Sequence, residues 1–234
     1  RVCGTERQPS KSAAPARVLP SRPMNRRRLL LLAALPPALA LAACGRPRPS
    51  TIALKPDARV LALGDSLTAG YGATPEQSWP AMLAQLTGWH VDNEGVNGDT
   101  SAGALQRAQA LLAANHYDAV LVGIGGNDML RGMPRQATKD NVSAIVRAAL
   151  AHTPYVAVIA TPAPEPLRAT VGSLSDAGFY EEVAQAEKAL LLADVYSTVL
   201  SDAALRSDRI HANARGYGVI AQQLADKLKA AGWR

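Results

Sequence analysis

The stretch VLALGDSLTAGYG, residues 60–72, carries the first clear structural signal in the chain. Its apolar residues 60–63 predict a buried strand, and the following Gly64-Asp65-Ser66 predicts the turn that ends it. Gly, Asp and Ser are ordinary turn residues, so this stretch alone is consistent with a polar cap on a turn. A serine placed just beyond a buried strand is also a candidate nucleophile. The rest of the chain has to decide between these two interpretations.

Strand-like apolar runs alternate with amphipathic helical patterns through the rest of the sequence. The last helical pattern is the clearest, because apolar residues from Tyr217 to Leu228 form one stripe that stops before Gly232. Strands this apolar, alternating with helices, predict a parallel sheet covered by helices on both faces. We therefore expect an α/β fold, with a five-stranded parallel sheet in a three-layer α/β/α arrangement. The candidate strands are residues 59–63, 89–93, 119–123, 156–160 and 189–193.

A segment near the N-terminus has the pattern of a secretory signal peptide. From Met24 the chain reads MNRRRLLLLAALPPALALAACG, in which three arginines precede an apolar run over residues 29–42. That run is too short to span a bilayer, which takes about 20 residues of helix. A buried helix that ends at Cys44 is the alternative, and the arginine cluster favours the signal peptide.

The residues up to Cys44 resemble the bacterial lipobox. Leu41-Ala42-Ala43-Cys44 matches that pattern, in which the cysteine becomes the lipid-modified first residue. Gly45, rather than an aspartate, resembles the outer-membrane sorting signal of Gram-negative bacteria. The resemblance implies a lipoprotein of the cell envelope, anchored through Cys44 with its folded domain on the periplasmic face, at the outer membrane rather than the inner one.

These patterns divide the chain into four parts. Residues 1–23 show no apolar periodicity, and we interpret them as a mis-extended start that does not contribute to the fold. Residues 24–43 are the predicted signal peptide, residues 44–57 a proline-rich tether, and residues 58–234 one folded domain. A domain of that length is able to bury a sizeable core.

The basic character of the chain belongs to its leader. The sequence has 25 Lys and Arg against 19 Asp and Glu, a net charge of +6. Residues 1–43 hold eight of the basic residues and one acidic residue, so residues 44–234 carry a net charge of −1. No basic patch for nucleic acid is expected there. Cys44 is the only cysteine of that part, so no disulfide is expected either.

Polar segments follow three of the predicted strands and precede the last helix. They are Gly64–Ser66, residues 95–100, residues 125–128 and residues 207–211. The first three are separated by about one strand–helix–strand step each. Because functional sites of parallel sheets lie at the carboxyl ends of the strands, we expect these segments to meet at one rim.

The four segments together resemble the SGNH/GDSL hydrolase family. GDSL stands at Gly64–Leu67, NGDTSAG at 97–103, GGND at 125–128, and Asp208-x-x-His211 near the end. Within that family the chain is most similar to the bacterial periplasmic thioesterase/arylesterase/lysophospholipase subfamily. The resemblance implies a flavodoxin-like fold and a serine hydrolase that uses no metal and no other cofactor.

The family's functional residues map onto five positions of this sequence. The resemblance implies that Ser66 is the nucleophile, His211 the general base, and Asp208 the carboxylate that orients the imidazole. It also implies an oxyanion hole made by the backbone N–H groups of Ser66 and Gly98 and the side-chain amide of Asn127. Such a set is needed because a serine hydroxyl is a weak nucleophile without a base, and the tetrahedral oxyanion needs donors already aimed at it.

The sequence specifies the substrate and the partners less closely than it specifies the site residues. The resemblance implies aryl esters, short or medium acyl esters, acyl thioesters or lysophospholipids, with the membrane reached through the lipidated cysteine and the chain otherwise monomeric. A carbohydrate O-acetyl esterase and a non-catalytic surface-binding lipoprotein remain alternatives. The family usually has a small residue where Arg209 stands and a proline where Ala212 stands. Residues 161–179 are expected to border the acyl pocket.

Five other titratable residues have side chains that could take part in catalysis or metal binding. His90, His116 and His152 have no ligand partners at metal spacing, which favours surface roles. Asp65 and Asp128 are candidate catalytic acids, but their positions inside turn motifs favour hydrogen bonds to backbone N–H groups.

Overall fold

The computed structural model describes residues 53–164 and 173–234. The predicted mis-extended start, the signal peptide and the lipidation site Cys44 lie outside the described residues. Within the described part, no helix is both long and apolar enough to cross a membrane. The end of the predicted tether contacts the domain, since the Leu54 N–H donates to the carbonyl of Trp233 at 2.9 Å and the Leu54 side chain packs against the core.

The five predicted strands form one sheet in which every described pair is parallel, as expected. The strand order is β2-β1-β3-β4-β5. β2 lies on one side of β1, and the three later strands are added in sequence on the other side. This is the flavodoxin-like order. The strands are β1 (Arg59–Gly64), β2 (His90–Gly95), β3 (Ala119–Gly123), β4 (Val156–Ile159) and β5 (Leu190–Leu192).

Helices connect the strands and cover both faces of the sheet. Two short 3-10 turns, Pro75–Gln77 and Ala203–Leu205, lie among them. The described α-helices are α1 (Ser66–Ala69), α2 (Trp79–Thr87), α3 (Ser101–Ala114), α4 (Gly126–Leu130), α5 (Arg135–His152), α6 (Phe179–Glu187), α7 (Val195–Ser201) and α8 (Ala214–Ala230).

Alternate residues of the central strands belong to two separate hydrophobic clusters, one on each face of the sheet. On β1, Val60 and Ala62 pack on one face with side chains of α2, α7 and α8, while Leu61 and Leu63 pack on the other with side chains of α3, α5 and α6. All four β1 side chains are fully buried. A strand covered on both sides in this way confirms the predicted three-layer arrangement.

The last helix has the apolar stripe that the sequence predicts. Every residue of that stripe, from Tyr217 to Leu228, is buried. Asn213 caps its start by accepting a hydrogen bond from the N–H of Gly216 at 3.0 Å. Gly232, with φ +82°, follows its end, which is the left-handed conformation that terminates helices.

Strand β2 departs from the expectation that the strands are buried on both sides. None of its residues is fully buried, because β2 is an edge strand that pairs with β1 alone among the described strands. Its polar residues are stabilised by local contacts instead, such as the Arg59–Asp92 ion pair at 2.7 Å. The expectation was wrong here because strand composition alone does not distinguish an edge from a centre.

Candidate active site

Three strand ends meet at the same level, which sets the position of the site. Gly64 of β1 is in register with Gly95 of β2 and with Gly123 of β3. Ser66 lies just beyond the first of these glycines, and the segments with Gly98 and Asn127 follow the other two. The predicted convergence of the first three polar segments at one rim is therefore confirmed.

Ser66 is the first residue of the short helix α1. Asp65 caps that helix, because its Oδ1 accepts a hydrogen bond from the N–H of Leu67 at 3.0 Å. The helix lies directly on the strand ends: a Cβ on Gly64 would collide with the Thr68 side chain and with the carbonyl of Gly123. This close approach fixes the Ser66 hydroxyl at the rim with only 9% of the residue exposed.

Asp208 and His211 lie on a tight loop that closes on itself before α8. Arg206 and Ala212 pair as an isolated antiparallel bridge, and the N–H of Ser207 donates to the carbonyl of His211 at 3.0 Å. The Asn213 side chain reaches back and donates to the carbonyl of Arg206 at 3.1 Å. These bonds hold the loop from both ends, so its side chains project from a fixed backbone.

The structure brings Ser66, His211 and Asp208 into one hydrogen-bonded row. Nε2 of His211 lies 2.9 Å from Oγ of Ser66, and Nδ1 lies 2.7 Å from Oδ2 of Asp208. An ionised carboxylate only accepts hydrogen bonds, so Nδ1 carries the ring proton and Nε2 is free to accept the Ser66 hydroxyl proton. This is the geometry of a base poised beside a nucleophile.

The second carboxylate oxygen of Asp208 is also occupied. Oδ1 accepts the N–H groups of Ile210 and His211, each at 2.8 Å. Burial, the largest single effect, raises the pKa of Asp208, but the hydrogen bonds from the His211 ring and from these two amides together outweigh it and leave the pKa below its usual value. Asp208 therefore stays ionised and faces His211 in a fixed orientation.

Of the two further predicted oxyanion donors, Asn127 lines the cavity and Gly98 does not. Asn127, in the first turn of α4, lines the same cavity as Ser66 and His211. Gly98 does not line that cavity; it adopts φ +75°, and its carbonyl accepts a hydrogen bond from the Arg131 guanidinium at 2.8 Å. That bond fixes the orientation of the peptide that follows Gly98, at a position where a side chain would be strained.

Asp65 and Asp128 hydrogen-bond to backbone N–H groups, as predicted. Asp128 is fully buried and accepts from the N–H and the hydroxyl of Ser101 at 2.8 and 2.6 Å. Asn141 donates to the same hydroxyl at 3.0 Å. This network ties α3, α4 and α5 together directly behind Asn127, so Asp128 serves structure rather than proton transfer.

Asp65 is buried and forms no ion pair with any residue in 53–164 or 173–234, and this has a consequence for stability. Burial chiefly, with a further contribution from the nearby charges of Asp99 and Asp128, raises the pKa of Asp65 to about 7 against the opposing hydrogen bond from Leu67. In the unfolded chain the same carboxyl titrates near 4. Between those two pH values the folded protein therefore binds more protons than the unfolded chain, and its free energy of unfolding falls as the pH rises.

We expect Asp65→Asn to remove this pH dependence. The slope from Asp65 is at most about 1.4 kcal/mol per pH unit. The amide oxygen of asparagine can still accept from Leu67, so the variant is expected to be more stable than the wild type at pH 8 and to lose that advantage at pH 4.5. Urea unfolding at both pH values measures this, with Asp57→Asn, at an exposed aspartate, as the control. A stability difference that is the same at both pH values contradicts the prediction.

One cavity of about 560 Å³ opens beside Ser66, a size typical of small-molecule sites. Most of its lining is apolar. The segment after β4 borders it as predicted for residues 161–179; positions 165–172 lie outside the described residues. The lining residues are Asp65, Ser66, Leu67, Gly126, Asn127, Leu130, Thr161, Pro162, Ala163, Pro164, Leu174, Leu200, Arg206, Arg209, Ile210 and His211.

The remaining histidines lie apart from this cavity. His90 and the side chain of His116 are exposed, and His152 accepts a hydrogen bond from the N–H of Tyr117 at 3.0 Å. Within the described ranges, 53–164 and 173–234, no group of three or more His, Cys, Asp or Glu side chains is placed to hold a metal ion.

Residues 62–219 match the GDSL-like Lipase/Acylhydrolase family. The chain belongs to that family. The match covers all four polar segments and the strands that present them, so the rim and the family's sequence blocks coincide.

The chain is similar in sequence to two proteins that are named as an esterase and a thioesterase. It is 39% identical over 93 residues to an arylesterase from Vibrio mimicus, which covers 38% of this chain and 46% of that protein. It is 41% identical over 92 residues to thioesterase 1/protease 1/lysophospholipase L1 from Escherichia coli K12, covering 38% and 43%. The aligned part thus spans about half the length of these relatives.

A solved structure extends the likeness to nearly the whole fold. The psychrotrophic esterase EstA from Pseudoalteromonas sp., in a structure inhibited by monoethylphosphonate, superposes with a TM-score of 0.65 at 27% identity. The match covers 75% of this GDSL-like chain and 98% of EstA. The expected SGNH-type fold is therefore confirmed.

Three residues near the site were not singled out from the sequence. The ring of Tyr71 lies 4.5 Å from the His211 ring, and Arg131 donates to Gly98 as described. Arg107 bridges the rim by donating to the carbonyl of Gly64 at 3.0 Å and to Asp99 at 2.7 Å. The sequence carries no periodicity that marks them, because each acts across a loop rather than along an element.

Proposed function

We propose that this protein is a serine esterase that hydrolyses carboxylic esters or thioesters through an acyl-serine intermediate. The row Ser66–His211–Asp208, at 2.9 and 2.7 Å, is the observation that carries this proposal. Ser66 and His211 of this row line an apolar cavity, in a fold shared with an esterase. The reaction proposed below uses protein side chains and backbone N–H groups and requires no metal ion.

The reaction uses two proton transfers through the same imidazole. Oγ of Ser66 attacks the acyl carbon while Nε2 of His211 takes the hydroxyl proton, and Asp208 stabilises the imidazolium. The carbonyl oxygen becomes an oxyanion that the N–H groups of Ser66 and Gly98 and the Asn127 amide are proposed to receive. His211 then gives its proton to the leaving alcohol or thiol as the tetrahedral intermediate collapses to the acyl-serine.

Water completes the cycle. His211 removes a proton from a water molecule, the resulting hydroxide attacks the acyl-serine, and the second tetrahedral intermediate releases the carboxylic acid and restores the Ser66 hydroxyl. The apolar lining contributed by Leu67, Leu130 and Leu174 favours an acyl chain longer than acetyl. We therefore place aryl esters, short or medium acyl esters, acyl thioesters and lysophospholipids ahead of acetylated sugars as substrates.

The test combines turnover with covalent labelling of the full chain. We expect hydrolysis of p-nitrophenyl esters between acetate and palmitate, with an optimum chain length set by the cavity, and of the matching acyl thioesters. A fluorophosphonate probe is expected to inactivate the enzyme with one adduct, located on the Ser66 peptide by mass spectrometry. Turnover that survives full labelling of Ser66, or absence of turnover with every ester, would contradict the proposal.

We also propose that the protein is a lipoprotein of the cell envelope, anchored through Cys44 on the periplasmic face of the outer membrane. The arginines after Met24, the apolar run 29–42 and the residues Leu41–Cys44 support this. In bacterial cells, wild-type protein is expected in the outer-membrane fraction and Cys44→Ser in the soluble fraction. An identical distribution of the two would contradict the anchor.

A further inference from the structure

Two arginines line the cavity beside Ser66. Arg206 and Arg209 contribute to its wall, and among the lining residues that the structure describes they are the only Lys or Arg side chains. Arg206 is half-buried and Arg209 is exposed. The remaining titratable lining residues are Asp65 and His211.

Neither arginine is used in holding the fold together by its side chain. Within residues 53–164 and 173–234, no carboxylate lies within 4.0 Å of either guanidinium and neither guanidinium donates a hydrogen bond. Asp208 lies between them in sequence, but its two oxygens are taken by the His211 ring and by two backbone amides. Asp65, the acidic residue of the described lining, is buried, and burial raises its pKa to about 7, so its charge opposes the arginines only near and above that pH.

The backbone that carries both arginines is fixed. Arg206 pairs with Ala212 across the loop, and Asn213 donates to the Arg206 carbonyl at 3.1 Å. Arg209 stands inside the same closed loop, between Asp208 and His211. The backbone positions of both arginines are thus fixed relative to the His211 loop, so the loop itself does not need to become ordered when their side chains bind a ligand.

The loop also determines which part of a substrate these charges meet. The proposed leaving group departs on the side of His211, because Nε2 must reach the leaving oxygen or sulfur to protonate it. Asn127, which is proposed to receive the carbonyl oxygen, comes from a different element, α4. Since both arginines belong to the His211 loop, they flank the leaving-group side of the cavity.

We propose that Arg206 and Arg209 form an anion subsite that selects esters or thioesters whose leaving group carries a phosphate, sulfonate or carboxylate. This rests on the esterase function proposed above and names the substrate class that the site prefers. Guanidinium groups bind such oxyanions with charge-assisted hydrogen bonds, often through two parallel N–H donors. The subsite adds to ground-state and transition-state binding of the leaving group and takes no part in proton transfer.

The experiment uses three aryl butyrates that differ only at the para position of the ring. One carries a sulfonate, one a neutral sulfonamide and one a trimethylammonium group. The quantity measured is the kcat/KM ratio of the sulfonate ester to the trimethylammonium ester. Comparing that ratio between enzyme variants cancels the intrinsic reactivity of the two leaving groups. We expect Arg206→Gln and Arg209→Gln each to lower the ratio about 3- to 10-fold, and Arg209→Glu to lower it further.

Two controls separate the subsite from general charge effects. Arg215 is exposed on the first turn of α8 and does not line the cavity, so Arg215→Gln removes the same charge and is expected to leave the ratio unchanged. Raising the salt concentration is expected to lower the wild-type ratio through screening. A ratio that does not respond to either cavity arginine, or that falls equally in Arg215→Gln, would overturn the inference.

The neutral sulfonamide ester distinguishes the two levels of proposal. If the wild type hydrolyses this ester and Ser66→Ala does not, the esterase function stands, and an unresponsive charge ratio removes only the anion subsite. If the wild type hydrolyses none of the three esters, the proposed function fails and the subsite fails with it.

Discussion

Replacing Ser66 by alanine is expected to lower kcat/KM for p-nitrophenyl esters by about 10⁴-fold or more. The variant keeps the cavity, Asn127 and the loop of His211, but Nε2 then faces a methyl group instead of a hydroxyl. No acyl intermediate can form, and only direct attack of water on the bound ester remains. Steady-state kinetics with a p-nitrophenyl ester of the preferred chain length measures the loss.

A matched control separates the nucleophile from hydroxyls that only support the loop. Ser207 donates its hydroxyl to the Ala212 carbonyl at 3.1 Å beside the site, so Ser207→Ala is expected to cost less than about tenfold. The double variant Ser66→Ala/His211→Gln is expected to be no slower than Ser66→Ala, because residues that act as one unit show non-additive losses. Additive losses in the double variant would show that His211 does not act through Ser66.

The sheet and its polar rim could be predicted because local patterns determine them. The apolar runs and the helical stripe from Tyr217 to Leu228 repeat at periods that the chain itself displays. The convergence at the rim then follows from parallel pairing, and the register of Gly64 with Gly95 and Gly123 realises it. The exceptions are the two edge strands, since no residue of β2 and only Leu192 of β5 is fully buried. The place of a strand in the sheet depends on pairing that strand composition does not specify.

The parts of the site that sequence reasoning missed act between loops. Arg131 reaches the carbonyl of Gly98, and Tyr71 lies against the His211 ring while its own carbonyl accepts from the Tyr217 hydroxyl at 2.8 Å. Each contact joins residues whose separation in sequence is set by loop lengths. Side-chain reach across loops has no period, so only the folded arrangement reveals these partners.

The anion subsite illustrates the same limit. Arg209 is visible in the sequence as a departure from the family pattern, which usually has a small residue there. The structure adds that Arg206 lines the same cavity and that the intervening Asp208 is occupied elsewhere. That neither arginine has an ion-pair partner among the described residues is a property of the folded arrangement, and it is the reason for proposing a substrate preference at this position.

Asp208→Asn is expected to lower kcat by about 10⁴-fold while leaving the fold intact. In the wild type, Oδ1 of Asp208 accepts two backbone N–H groups and Oδ2 accepts Nδ1–H of His211. Asparagine has a single amide oxygen, and the two backbone donors of Ile210 and His211 will hold it in the Oδ1 position. Its NH₂ group then faces Nδ1, which must become an acceptor, so the ring proton moves to Nε2. Nε2 can no longer take the proton of Ser66.

This tautomer argument makes a spectroscopic prediction as well as a kinetic one. In ¹⁵N NMR of the histidine rings, Nδ1 of His211 is expected to carry the proton in the wild type and Nε2 in Asp208→Asn. KM is expected to change little, because Asp208 does not line the cavity. Asp202 is the matched control: its carboxylate accepts the N–H of Ala204 at 2.8 Å and does not contact His211. Asp202→Asn should therefore retain kcat within a few-fold, and a 10⁴-fold loss in Asp208→Asn with an unchanged His211 tautomer would mean that the carboxylate acts through its charge alone.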